Sequence, residues 1–139
     1  MAIANMKASF TSDIAKIWKI VTSCEDYEWR SDLSKIEVVE QGKRFVEYTN
    51  DGYPTKFTIT AFQPYKRYEF DMENDNMTGH WTGIFSMEKD KVCIDFTENI
   101  TVKKLFMKPF VGMYLRKQQA TYLQDLMKAL VRCDNELVT

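Results

Sequence analysis

The side chains in this chain of 139 residues that are best suited to chemistry are few and scattered. The only histidine, His80, stands beside Trp81 in "MTGHWTGIFSM", and an imidazole that titrates near neutrality is a natural general base. Strand periodicity argues against that role. With Trp81, Gly83, Phe85 and Met87 turned toward a core, His80, Thr82, Ile84 and Ser86 face solvent, unless a one-residue bulge near Gly79 reverses the parity. Carboxylates are plentiful but form no evident pair. Glu47 shares parity with Phe45 and Thr49 rather than with Val46 and Tyr48, and both Glu47 and Glu98 are read as surface charges. Arg44 shares the side of Val46 and Tyr48, where a guanidinium at a cavity rim would hold an anion or simply reach to water. Gln118 and Gln119 fall on or near the apolar side of a C-terminal helix. A buried amide there must bond to a ligand, to sheet backbone or to water.

Other chemistries lack their signatures. There is no G-x-S-x-G elbow, phosphate-binding loop, dinucleotide fingerprint or HExxH pair. The cysteines Cys24, Cys93 and Cys133 are odd in number, far apart and without a CxxC, which speaks against a disulfide framework or a zinc site. The 19 Lys+Arg against 20 Asp+Glu leave a net charge of -1, so no global field attracts nucleic acid. No run approaches the length of apolar residues that spans a bilayer, and the N-terminus lacks a leader pattern. The expectation is a cytoplasmic protein of one domain over 1–139 with reduced thiols and neither cofactor nor metal.

The elements that must position these residues follow from periodicity. "NMKASF" alternates as a strand, and "TSDIAKIWKIV" places Ile14, Ile17, Trp18 and Val21 on one helical face, with Thr11 or Ser12 as cap and Asp13 near the positive end. "CEDYEWRSDLS" is read as a broken second helix. From Lys35 to Thr101 come strands separated by turn signals: "KIEVVE", "RFVEYT", "KFTITAF" with Phe57, Ile59 and Ala61 on one side, "RYEFDME", "HWTGIFSM" and "VCIDFTE". Gly42 and Asn50 to Gly52 supply the tight turns. One face of this meander is apolar and the other wet. After Pro109 a single helix runs from Phe110 to about Cys133, with Val111, Leu115, Tyr122, Leu126, Ala129 and Cys133 in one stripe widened by Leu123, Met127 and Leu130. Its broad stripe needs one large apolar partner, the dry face of the sheet.

The order strand, helix pair, six-strand meander, long last helix resembles the helix-grip fold of the START-like superfamily, in particular its polyketide cyclase/dehydrase-like (SRPBCC) group. The resemblance covers roughly Met6 to Cys133 and rests on "ASFTSDIAKIWKIVTSCEDYEWRSDLSKIEVV", "ITAFQPYKRYEF", "WTGIFSM" with "CIDFTENI", and "YLRKQQATYLQDLMKAL". It implies an α+β domain in which a curved antiparallel seven-stranded sheet wraps around the long C-terminal helix, in the order β-α-α-β6-α, with a cavity between the two. The residues expected along that cavity are Tyr48, Ile59, Phe70, Trp81, Phe85, Phe96, Phe110, Tyr114, Gln119 and Tyr122. "KKLFMKPF" would lie at its mouth, as a lid, a weak membrane contact or plain helix entry. The functional expectation is a monomer or weak homodimer that binds an apolar or aromatic small molecule, lipid or polyketide-like. The alternatives are a cyclase or dehydratase in the same cavity and a protein-interaction module of the chaperone-regulating kind.

Overall fold

The computed structural model describes the backbone of residues 1–138 and the side chains of residues 1–132; the expected place of Cys133 on the helix stripe lies outside the described side chains. The chain runs β1 (Ala2–Phe10), α1 (Ile14–Thr22), β2 (Leu33–Glu40), β3 (Arg44–Thr49), β4 (Pro54–Gln63), β5 (Arg67–Glu73), β6 (Met77–Glu88), β7 (Lys91–Val102), a short 3-10 turn (Leu105–Met107) and α2 (Lys108–Val138). The strands form one antiparallel sheet of 7 strands in the order β1-β7-β6-β5-β4-β3-β2. This is the helix-grip topology: a curved sheet closed over by the long last helix.

Helix α1 forms as its apolar spacing demands, with Ile17 and Trp18 buried. Asp13 caps it, rather than Thr11 or Ser12. Its carboxylate accepts the Ala15 amide at 2.9 Å, and its carbonyl accepts the Ile17 amide at 3.2 Å. The expected second helix is absent, and residues 23–32 are turns. Local bonds compete with a helix there: Ser23 Oγ accepts the Asp26 amide at 3.0 Å, and Arg30 turns its guanidinium onto Asp32.

In the sheet, β6 pairs with β5 in unbroken register, Met72↔Gly79 and Phe70↔Trp81. There is no bulge at Gly79, so Trp81 and Phe85 are buried while His80 lies on the outer face. Two parities differ from expectation. In β3 it is Phe45 that is buried, stacked on Phe57 at 4.8 Å; Tyr48 therefore lies on the outer face, where the Lys35 ammonium sits 4.5 Å from its ring. Both faces of "RFVEYT" carry apolar side chains, so periodicity alone did not choose between them. In β4 a register shift after Ile59 turns Ala61 opposite Glu69 and brings Phe62 opposite Tyr68, within ring contact of Trp18.

The inward faces of five strands carry a continuous belt of rings. Phe45 stacks on Phe57, Phe57 meets Phe70 at 5.1 Å, Phe70 stacks on Trp81 at 4.9 Å and Trp81 meets Phe96 at 4.7 Å. Such contacts each add about 0.5–1.5 kcal/mol beyond the area they bury. At one end Trp18 seals the grip, edge-on to Phe62, Tyr68 and Phe85. Helix α2 buries Leu115, Leu126, Ala129 and Leu130 against β1, β7 and α1. Met127, expected to widen the stripe, is 51% exposed. Asp125 fixes the helix to the loop before β2, accepting the Ser31 amide and hydroxyl, both at 2.8 Å. No helix among the described residues is long and apolar enough to cross a membrane.

Candidate functional site

Because α2 rests mainly on β1, β7 and α1, its N-terminal half stands clear of β3 to β5, and a cavity of about 580 Å³ opens beneath it. That volume lies within the range of small-molecule sites. Its walls combine apolar groups such as Phe57, Met72, Ile100 and Val111 with Tyr53, Asn74 and Asn76. A smaller chamber of about 120 Å³ lies deeper, between Trp29, Tyr68, Phe70, Trp81 and Tyr122. The two share Arg30, Asp32, Glu47, Glu98 and Gln118, so an ionic cluster sits at their junction.

Arg30 comes from the irregular loop before β2 and organises that cluster. Its Nε and one Nη donate to the two oxygens of Asp32, both at 3.0 Å, and its other Nη lies 3.6 Å from Glu47. Tyr122 and Trp29 present their rings to the guanidinium, with centroids 4.9 and 5.7 Å away. Burial opposes the Arg30 charge, but Glu47 and Asp32 outweigh it, and the pKa is raised, so the guanidinium stays charged. Burial pushes the Glu47 carboxyl up, with Arg30 acting against the shift. At Glu98 burial outweighs the opposing charge of Arg30, Glu47 adds to the rise, and the pKa is pushed up to about 7. The Glu98 carboxyl makes no hydrogen bond or ion pair among the described residues. Two further wall residues carry buried polar atoms without a partner among the described residues, Trp29 Nε1 and Tyr53 Oη; groups of this kind are normally satisfied by water or ligand. Cys24, at the edge of the inner chamber, has its thiol raised to about 11, by burial first and then by Glu47, which leaves it a poor nucleophile. Among the described residues, no three or more His, Cys, Asp or Glu are arranged to hold a metal ion.

The expected site residues are dispersed by this geometry. Phe70, Trp81 and Tyr122 line the inner chamber, and Phe110 and Tyr114 line the outer one. Phe85 and Phe96 are buried in the packed core, and Ile59 packs at its margin. The space above Gly83 is occupied by the Trp81 ring, which a Cβ there would meet at 2.5 Å, rather than being left for helix or ligand. Gln119 is buried with its amide donating to the Ala4 carbonyl at 3.1 Å, a tie between α2 and the sheet. Gln118 instead faces both chambers, donating to the Tyr114 hydroxyl at 3.3 Å. Arg44 is on the outer face beside Glu40, away from the rim. His80 bridges two outer carboxylates, Asp71 Oδ1 at 2.6 Å and Glu69 Oε1 at 2.8 Å. The bonds to Asp71 and Glu69 raise its pKa. The segment "KKLFMKPF" stands at the cavity mouth, with Phe106 and Met107 among its walls and Leu105 largely exposed.

The residues that matter most here are not those to which spacing points. Glu47 and Glu98 line the cavity, contrary to expectation. For Glu98 a signal existed: it continues the alternation Val92, Ile94, Phe96 and precedes the buried Ile100. For Glu47 it depended on recognising Phe45 as the inward residue of β3. Arg30 and Asp32 lie in a loop, where no periodicity speaks.

No protein-family model matches the chain, and no curated protein matches it by sequence. Solved structures do. A START superfamily protein from Mycobacterium smegmatis superposes with a TM-score of 0.79 at 11% identity, over 94% of this chain and 98% of that one. A conserved protein from Geobacillus kaustophilus gives 0.79 at 8% identity, over 94% and 95%. The Aha1 dimer from Colwellia psychrerythraea gives 0.73 at 17% identity, over 94% and 96%. At such identities the likeness establishes fold alone: the chain has the helix-grip architecture of START-like proteins.

Proposed function

We propose that the protein binds an apolar or aromatic small molecule, lipid or polyketide-like, between the sheet and α2. The observation that carries this reading is the cavity of about 580 Å³, apolar over much of its wall and sharing wall residues with a chamber lined by Trp81, Phe70 and Tyr122. Ligand sites characteristically join such walls to a few convergent polar groups, and the Arg30 cluster supplies these. The test is organic extraction of purified protein followed by mass spectrometry, with thermal-shift screening of a lipid and aromatic library. Co-purifying ligand or a dose-dependent shift supports the reading. A clean extract together with no shift across the library refutes it.

A second reading, an enzyme of the cyclase or dehydratase type, is favoured by one observation. Such an enzyme needs a titratable group inside the cavity, and Glu98 is one, with a pKa of about 7, where a carboxyl both gives and takes protons efficiently. Hydrogen–deuterium exchange at the acidic carbon of an aromatic β-diketone, followed by NMR, tests it. Exchange accelerated by the protein and lost in Glu98→Gln supports catalysis; no acceleration above buffer counts against it.

A further inference from the structure

The cavity walls carry an unequal set of charges. Among the described residues one cation, Arg30, and three carboxyl groups, Asp32, Glu47 and Glu98, line both chambers, and no lysine or histidine joins them. Arg30 is already committed: both Asp32 oxygens, Glu47 and the faces of Tyr122 and Trp29 surround it. An anionic head group entering the junction finds no uncommitted cation among the described wall residues and meets carboxylates instead. A buried carboxylate without a counter-charge is costly, so the cluster is complementary to a positive group that the protein does not itself provide.

The surroundings of Glu98 fit the same chemistry. Trp81 is its direct cross-strand partner, stacked on Phe70, and Tyr122 lies on the opposite wall of the same chamber. A carboxyl without a hydrogen-bond partner, set among aromatic walls, recognises an ammonium through a charge-assisted hydrogen bond. The inner chamber of about 120 Å³ has room for a small head group, while the outer one of about 580 Å³ has room for an apolar body.

We infer that the cavity selects hydrophobic amines, seating the ammonium on Glu98 with the apolar body under the N-terminal half of α2, and discriminates against fatty acids and other anionic amphiphiles. This rests on the proposed small-molecule binding and names its ligand class.

The experiment is calorimetric titration of the purified protein, slightly above neutral pH, with three probes of one skeleton: naphthylethylamine, naphthylacetic acid and naphthylethanol. The amine binds at least about tenfold more tightly than the acid or the alcohol, and Glu98→Gln weakens the amine by on the order of 10- to 100-fold and removes its preference over the alcohol. A cooperative urea transition shows that the variant is folded, and Glu98→Asp, which keeps the charge, retains the preference for the amine. An acid that equals or exceeds the amine overturns the inference, as does a preference that survives Glu98→Gln. If the alcohol binds and the amine gains nothing over it, the ligand class is wrong and the binding cavity stands. If none of the three binds and extraction yields no ligand, the cavity reading falls and this one with it.

Discussion

Replacing Glu98 by glutamine stabilises the protein, and does so only as pH rises. The wild-type carboxyl has a pKa near 7 in the folded state against an ordinary value of 4.5. The folded state therefore holds a proton that the unfolded chain releases between these two values, so the wild type loses stability as pH climbs through that window. At ~1.36 kcal/mol per unit, a gap of about 2.5 units corresponds to roughly 3 kcal/mol once pH exceeds the folded pKa. Glutamine has the shape of the protonated acid and no charge to desolvate. The difference in unfolding free energy between Glu98→Gln and wild type is thus below about 1 kcal/mol near pH 5 and grows to roughly 3 kcal/mol near pH 8. Urea unfolding of both proteins across that range measures it, and taking the difference cancels other titrating groups such as His80. A variant that is equally stable relative to wild type at every pH, or destabilised most at high pH, refutes a desolvated Glu98.

Three further outcomes are expected. Arg30→Met leaves Asp32 and Glu47 without their cation and destabilises by on the order of 3 kcal/mol near pH 7, less in acid, where Glu47 takes up a proton; equal loss at both pH values by urea unfolding contradicts the ion cluster. Gly83→Ala drives a methyl into the Trp81 ring and costs about 1–3 kcal/mol with a changed near-ultraviolet signal, whereas Gly112→Ala in α2, with open space around it, stabilises by about 0.5–1 kcal/mol. The lone imidazole of His80 gives one NMR titration, with a pKa above 6.5 that falls in Asp71→Asn; its contribution to stability is complete below the unfolded value and is lost as pH rises through the folded one, and an unshifted His80 removes the Asp71 bridge.

Much of the architecture is local in origin and therefore legible in the chain. Alternation marks β5, β6 and β7 because one face of each must be dry, and in β6 it is enough to turn His80 outward and Trp81 inward. The change to helical period after Pro109 marks α2, and Gly42 and Gly52, both at positive φ, occupy turns that their residue types announce.

What periodicity could not settle, it left to contacts between distant parts of the chain. β3 has apolar side chains on both faces, and only the stacking of Phe45 on Phe57 turns Glu47 inward. The segment from Ser23 to Asp32 has helix-compatible composition, yet it is held as turns that deliver Arg30 to the sheet. Gln119 lies on the apolar side of α2 as expected, but its partner is a carbonyl 115 positions away. The strands, the two helices α1 and α2, and the apolar stripe and faces that must meet are legible in the chain, since these depend on spacing along it. The convergence of Arg30, Asp32, Glu47 and Glu98 at the junction of two chambers is a product of the three-dimensional packing, because desolvation and charge pairing act through space and leave no period in the sequence.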